Sequence, residues 1–232
     1  MWETVSVIIQ ALILALVLRT FLFQPFSIPS GSMKPTLLVG DYLFVSKFSY
    51  GYSKYSMPFA PDLFSGRIWA GEPTRGDIAV FKYPPNPNID YIKRIIGFPG
   101  DKIQVSEGIL YINGKAVERK RAGLFTDDDT GQIVQSYVET LPNGVSYTTL
   151  DINPRGHGDD TRVFEVPPDH YFVMGDNRDN SADSRFDAGF IPFENFVGRA
   201  SVIFFSIRGG QHPLAIWRWP QDVRFERIFD GL

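Results

Sequence analysis

The sequence contains no cysteine and only three histidines, and its net charge is −3. Without cysteine the chain has no disulfide, no thiolate nucleophile and no cysteine-ligated zinc, although the redox compartment stays open. His157, His170 and His212 are too scattered in the sequence to indicate a metal site. The small negative charge gives no reason to expect nucleic acid as a partner, because such binding normally needs a basic face.

Two acidic runs are the remaining candidates for metal binding. They are TDDDTG (126–131) and RGHGDD (155–160), and neither has the alternating carboxylate spacing of a calcium loop. Solvated loops are the commoner explanation of such runs. We therefore expect no metal at either run.

One long hydrophobic run opens the chain. Fifteen of the 19 residues from Val5 to Phe23 are apolar, and a helix of that length reaches roughly 28 Å, close to a bilayer core. Arg19 opposes insertion, but near a helix end it can extend toward the headgroups. A cleavable signal peptide is the alternative, yet the bulky residues at 21–26 offer no small-residue cleavage site. The sequence predicts a retained single span.

The orientation of this span is harder to predict. No lysine or arginine precedes it, whereas Arg19, Lys34 and Lys47 follow it. Counted literally, the positive-inside rule would place the large domain in the cytoplasm, although long domains escape that rule. A further hypothesis is that Met1 is not the native start and that a basic tail is missing.

The rest of the chain has the pattern of short strands and turns. Its 17 prolines and 21 glycines indicate many turns, and no long stretch shows helical periodicity. Gly-Asp pairs precede alternating apolar residues in VGDYLFV (39–45), RGDIAVF (75–81) and PGDKIQV (99–105), which predicts a tight turn before each strand. Asn-Gly pairs at 113–114 and 143–144 predict hairpins, and VFEVPPDHYFVMGD (163–176) and ASVIFFSI (200–207) predict further strands.

These patterns predict a mainly β protein. We expect a transmembrane anchor (1–25), a main β domain (26–105 plus 163–215), an inserted β-rich subdomain (106–162) and a C-terminal tail (216–232). An aromatic, proline-punctuated segment (49–73) is typical of an ordered loop. The tail mixes tryptophan, phenylalanine and arginine, which suits a membrane interface or an edge packed on the core.

A possible nucleophile lies just after the hydrophobic run. Ser30 and Ser32 are one residue apart, and Pro29 and Pro35 restrict the backbone on both sides. Such a loop would preorganise a serine nucleophile, but the serine also needs a base. His170 is one candidate, although it begins an apolar strand and no buried acid is evident to orient it.

Lys93 is the other candidate base. Strand alternation in NIDYIKRIIGFPGD places it on one face with Tyr91 and Ile95, and it places Arg94 on the opposite face. A lysine here is either an edge residue that deters strand pairing or a desolvated amine. To act as a base near neutral pH, its pKa must fall from about 10.4 to about 7, at a cost of about 4 kcal/mol. The alternation along the strand does not distinguish an edge lysine from a desolvated amine.

Four stretches together resemble the bacterial type I signal peptidases, which are Ser/Lys-dyad peptidases. In the family's order these are SIPSGSMKPTLLVGDYLFV, RGDIAVFKYP, DYIKRIIGFPGDKI and MGDNRDNSADSRFDAGFIPFENFVGRA. They cover roughly residues 20–105 and 163–207, while residues 106–162 match only as a variable insertion. The resemblance implies a coiled β-sheet fold with a hairpin-rich insertion and one N-terminal transmembrane helix.

The resemblance also implies site residues. Ser32 matches the family's nucleophile and Lys93 its general base. The oxyanion hole falls on the Ser30 hydroxyl and the Ser32 backbone N–H, and Ser181 matches the serine that orients the lysine amine. Supporting ion pairs, with their pairing left open, fall on Arg94, Asp176, Asp183 and Arg185. The pocket for substrate side chains falls on Phe26, Ile28, Leu37 and Ile92.

The implied activity is removal of N-terminal signal peptides from exported preproteins by a membrane-bound serine endopeptidase. Members of the family cut after small residues, in Ala-x-Ala sites, without a metal or another cofactor. The expected partners are preprotein signal peptides and the lipid bilayer. The expected location is the bacterial plasma (inner) membrane, as a single-pass protein with its catalytic domain on the extracytoplasmic (periplasmic) side.

Two other functions are open to a chain of this pattern. A self-cleaving repressor uses a similar Ser/Lys site but needs a DNA-binding domain, and here a hydrophobic span takes that place. A membrane-tethered β-rich binding protein without catalysis would need Ser32 and Lys93 to lie apart, or Lys93 to titrate normally.

Overall fold

The computed structural model describes residues 2–57, 60–62, 64–208, 217 and 219–232. Its first element is a helix, α1 (Trp2–Phe21), whose side chains are almost all exposed. This helix is long and apolar enough to cross a membrane, with a mean hydropathy of 2.1. Its last turn contacts the β-rich part, where the Tyr52 hydroxyl donates to the Phe21 carbonyl at 2.8 Å.

The described residues after this helix form a mainly β structure. Its only other α-helix within those residues is a single turn, α2 (Trp219–Asp222). The strands, in chain order, are β1 (Phe23–Ser27), β2 (Asp41–Ser46), β3 (Ile78–Lys82), β4 (Asp90–Gly97), β5 (Lys102–Ser106), β6 (Ile109–Ile112), β7 (Lys115–Ala116), β8 (Glu118–Thr126), β9 (Ile133–Thr140), β10 (Ser146–Asp151), β11 (Phe164–Glu165), β12 (His170–Met174), β13 (Ile191–Pro192) and β14 (Phe196–Ser206).

These strands form three antiparallel sheets. The largest has seven strands in the order β1-β2-β14-β3-β4-β12-β13. A four-stranded sheet has the order β11-β5-β6-β7, and a three-stranded sheet has the order β10-β9-β8. The predicted boundary at 105 falls within β5, and β11 lies beyond the predicted insertion (106–162), yet both strands belong to one sheet with β6. The division into domains stays a prediction.

The predicted Gly-Asp turns are confirmed, and all three have one construction. Each glycine has a positive φ, between 85° and 98°, a conformation that suits glycine best. Each following aspartate accepts a hydrogen bond from the backbone N–H three residues earlier, at 2.8–2.9 Å. The aspartate side chain therefore closes each turn, and this aspartate either begins the following strand or directly precedes it. The Asn-Gly pairs likewise lie in the β6–β7 and β9–β10 hairpins.

The buried apolar residues form three clusters. Strand β4 contributes to all of them, because Ile92, Ile95 and Ile96 each pack in a different cluster. One cluster also contains Leu141 and Tyr147 from the insertion. The insertion therefore shares its core with the large sheet, and β4 lies at the centre of the molecule.

The aromatic loop (49–73) and the C-terminal tail (216–232) both pack against this core where they are described. In the aromatic loop, Arg67 donates to the backbone carbonyls of Tyr50, Gly51 and Phe196 at 2.8–2.9 Å. In the tail, Arg227 contacts the Asp41 carboxylate through two nitrogens, at 2.6 and 3.1 Å. The described part of the tail is therefore an edge packed on β2 and β14.

Candidate active site

The predicted nucleophile lies on a short turn after β1. Residues Gly31–Met33 form one turn of 3-10 helix, and Ser30 precedes it in an extended conformation. Ser30 is exposed, whereas the Ser32 residue is only 7% exposed. Their hydroxyl oxygens lie 3.4 Å apart. The turn thus presents two hydroxyls at one point, one at the surface and one largely covered.

Lys93 reaches this turn from the middle of β4. Its Nζ lies 2.8 Å from the Ser32 Oγ and 2.9 Å from the Ile92 carbonyl oxygen. The residue is 4% exposed, and its amine lies 5.3 Å from the centre of the Tyr91 ring. Burial penalises the charged ammonium and lowers the pKa of Lys93 to about 8, although Asp183 and Asp176 act in the opposite direction.

The described structure places Lys93, and not His170, beside the serine. The Nδ1 atom of His170 lies 2.7 Å from the Pro168 carbonyl oxygen at the start of β12. His157 is exposed and stacks on Phe186. His212 lies outside the described residues. Within those residues the contacts of Ser32 therefore favour a lysine base over a histidine base.

Four charged residues expected to support the site form two buried pairs. Arg94 contacts Asp176 through two nitrogens, at 2.6 and 2.8 Å. Arg185 contacts Asp183 in the same manner, at 2.9 and 3.0 Å. Burial would raise the pKa of Asp183, but the Arg185 guanidinium and the hydrogen bond from the Gly175 N–H, with a smaller contribution from Ser181, together lower it. Both carboxylates act to raise the pKa of Lys93, against the effect of its burial.

Ser181 lies close to the dyad without a hydrogen bond to Lys93. Its Oγ is buried near the Asp183 carboxylate, and it has no partner of good geometry within the described residues. A Cβ placed on Gly175 would lie 2.6 Å from the Ser181 Cβ and 2.5 Å from the Ser32 carbonyl oxygen. Gly175 therefore allows the Ser181 segment and the nucleophile turn to approach each other. The lysine-orienting role of Ser181 stays a prediction.

An apolar groove of about 510 Å³ leads to the Ser32–Lys93 pair. Three of the four residues expected to form the substrate pocket line it: Phe26, Ile28 and Ile92. Leu37 does not line it, because its side chain is fully buried in the core cluster next to Ile28. Small hydroxyls and an amine at the end of an apolar groove are suited to nucleophilic attack on a bound peptide.

The family model of the signal peptidases, peptidase S26, matches residues 1–205 of the chain. The chain belongs to the signal peptidase family, peptidase S26. Signal peptidase I of Rickettsia akari is 44% identical over 94% of this chain and 88% of its own. That of Rickettsia prowazekii is 44% identical over 94% and 89%. A crystal structure of a signal peptidase I from Enterococcus faecalis is 28% identical, covers 55% of this chain and 96% of that chain, and has a TM-score of 0.34.

In this S26 family member, Asn177 contacts the nucleophile turn, and the sequence does not predict it as a site residue. The Nδ2 atom of Asn177 donates to the Gly31 carbonyl at 3.1 Å, and its backbone N–H donates to the Ser32 carbonyl at 3.1 Å. The Gly31 carbonyl belongs to the same peptide unit as the Ser32 N–H. Because that unit is planar, fixing its carbonyl also fixes the direction of the N–H. No local signal in the sequence could reveal this contact, since 146 residues separate the two groups.

Proposed function

We propose that this protein is a membrane-bound serine endopeptidase that removes N-terminal signal peptides from exported preproteins, with Ser32 as the nucleophile and Lys93 as the general base. The observation that carries the proposal is the 2.8 Å approach of a buried lysine amine to a serine hydroxyl at the end of an apolar groove. The activity agrees with that named for the Rickettsia relatives.

The reaction begins when the Ser32 Oγ attacks the scissile carbonyl and neutral Lys93 takes the hydroxyl proton. The negative oxygen of the tetrahedral intermediate accepts hydrogen bonds from the Ser32 N–H and the Ser30 hydroxyl. The C–N bond then breaks, and the Lys93 ammonium returns the proton to the leaving amine. Water, deprotonated by Lys93, hydrolyses the acyl-enzyme and restores Ser32.

Substrate selection follows from the groove. Residues 90–93 of β4 pair with β3 but not with β12, so this half of the strand has one free edge. A peptide that lies extended along it adds to that edge through its backbone, and alternate side chains then point toward the groove wall. Phe26, Ile28 and Ile92 line the groove and narrow it. We therefore infer that only small side chains, such as those of an Ala-x-Ala site, fit next to the scissile bond.

The apolar helix suggests how enzyme and substrate meet. We infer that α1 anchors the protein in the bacterial plasma membrane as a single span, with the β-rich part on the extracytoplasmic side. A signal peptide inserted in the same bilayer is then confined near the groove, which raises its effective concentration. This supports preprotein signal peptides and the lipid bilayer as partners.

The test is cleavage of a preprotein with an Ala-x-Ala site by the full-length enzyme in detergent. Wild type should cut after the second alanine, and folded Ser32→Ala and Lys93→Ala should not. Ser30→Ala should lower kcat about 10²–10³-fold, as expected for the loss of one oxyanion donor. An inert wild type would favour a membrane-tethered binding protein instead, and full activity in Lys93→Ala would exclude Lys93 as the general base.

A further inference from the structure

The acidic run TDDDTG (126–131) lies at the tip of the β8–β9 hairpin. We define the acidic tip as residues 127–132. In this turn the Asp127 carbonyl accepts from the Gly131 N–H at 2.7 Å, and the Asp127 side chain accepts from the Asp129 N–H at 2.9 Å. These contacts close the turn and hold the Asp127 carboxylate against the backbone of Asp129.

The carboxylates of Asp127 and Asp129 bind a lysine of the nucleophile turn. The Lys34 Nζ lies 2.6 Å from an oxygen of Asp127 and 2.6 Å from an oxygen of Asp129. The Lys34 side chain is 5% exposed, against 14% and 26% for the two carboxylates. The two contacts raise the pKa of Lys34, although burial alone would lower it. The lysine is therefore charged at every pH at which the enzyme could work.

The stem of Lys34 passes over the peptide unit of the proposed oxyanion hole. A Cβ placed on Gly31 would lie 3.3 Å from both the Cδ and the Cε of Lys34, so these methylenes cover the Gly31 Cα. The Lys34 N–H also donates to the Gly31 carbonyl at 3.2 Å. Lys34 thus contacts the Gly31–Ser32 unit on one side, and Asn177 holds its carbonyl from another.

We propose that the acidic tip of the inserted hairpin is a positioning element for the oxyanion hole: Asp127 and Asp129 fix Lys34, and Lys34 holds the Gly31–Ser32 peptide so that its N–H faces the reacting carbonyl. This inference rests on the proposed role of Ser32. It assigns the insertion a direct part in catalysis although the insertion contributes no reacting group. A donor that is misplaced by a fraction of an ångström stabilises the transition state less, while substrate binding along β4 is unaffected.

The experiment compares charge-removing variants of the tip and the turn in the full-length enzyme. Asp127→Asn/Asp129→Asn and Lys34→Met should each lower kcat about tenfold, with KM changed less than about twofold. The three changes together should cost no more than either alone, because all remove one contact. Lys34→Arg should recover most of the activity. Asp128→Asn is the control: it removes one negative charge from the same tip, at an exposed carboxylate.

Two further readouts separate positioning from other effects. The acidic limb of the kcat profile should keep its midpoint, because the carboxylates that act on Lys93 are Asp183 and Asp176 and not those of the tip. The loss should also persist well below the unfolding temperature. Unchanged kcat in Lys34→Met, an equal loss in Asp128→Asn, or a loss that disappears on cooling would overturn the inference. Failure of the proposed function itself differs from all of these, because wild type would then be inert.

Lys34→Met also guards against a folding failure of the double variant. Removing the lysine leaves two carboxylates that water can reach, whereas removing the carboxylates leaves a buried ammonium without a partner. A folded Lys34→Met protein with wild-type kcat therefore refutes the inference whatever the double variant does.

Discussion

The protonation of Lys93 should set the pH dependence of cleavage. Only the neutral amine can take the Ser32 proton, and burial lowers the pKa of Lys93 to about 8. With that pKa the neutral fraction is about one half at pH 8, about one tenth at pH 7 and about one hundredth at pH 6. The value of kcat/KM should therefore rise about fiftyfold between pH 6 and pH 8 and level off above about pH 9.

The assay is initial-rate cleavage of an Ala-x-Ala preprotein by the full-length enzyme in detergent, with overlapping buffers of constant ionic strength. His170→Gln should reproduce the wild-type profile, since the described contacts of His170 are remote from Ser32. The unfolding temperature should be recorded at each pH, so that a loss of fold is not mistaken for a loss of base.

Three results would contradict this reasoning. A flat profile from about pH 6 to pH 9 would mean that no group titrates in the rate-determining step. A midpoint near 6.5 that disappears in His170→Gln would assign the base to a histidine. A midpoint near 10.4 would mean that Lys93 is not desolvated in the working enzyme.

Two further predictions concern the packing around the dyad. Gly175→Ala should lower kcat at least about tenfold and destabilise the fold by about 1–3 kcal/mol, because the added methyl overlaps the Ser32 carbonyl and Ser181; Gly231→Ala, whose Cβ would meet open space, should behave as wild type in both assays. Lys93→Met should abolish cleavage yet raise the free energy of unfolding at pH 7 by about 3 kcal/mol, since the native state no longer holds a buried lysine of lowered pKa. That gain should be full below about pH 8 and absent near pH 10.5, which thermal unfolding at the two pH values can measure; an equal gain at both would exclude the ionisation of Lys93 as its cause.

The features that the sequence predicts well are local. A Gly-Asp pair closes its own turn through the aspartate side chain, so three strand starts can be read from dipeptides. The alternation along β4 depends only on the geometry of a strand, and it separates Lys93 from Arg94 without any knowledge of their partners. Ser32 and Lys93 could be chosen only through the family resemblance, because the residues alone left Lys93 undecided.

The features that the sequence does not predict depend on distant contacts. Leu37 follows the nucleophile turn closely, yet its side chain enters the core and not the groove. The acidic run has the composition of a solvated loop, and only the folded structure shows that Lys34, 93 positions before Asp127, gives two of its carboxylates a charged partner. In the sequence, Asn177 is one polar residue in a turn-rich stretch. Only the folded structure shows that its side chain contacts the Gly31 carbonyl.

The two members of the proposed dyad come from different elements, a turn after β1 and the strand β4, and they are 61 positions apart in the sequence. In an unfolded chain Lys93 is a solvated ammonium and Ser32 an ordinary alcohol, so neither is reactive. Both the proximity of the pair and the neutral amine are created when β4 is buried. The nascent chain therefore cannot cut itself or its neighbours before folding is complete, because folding creates both the contact between the two groups and the neutral amine.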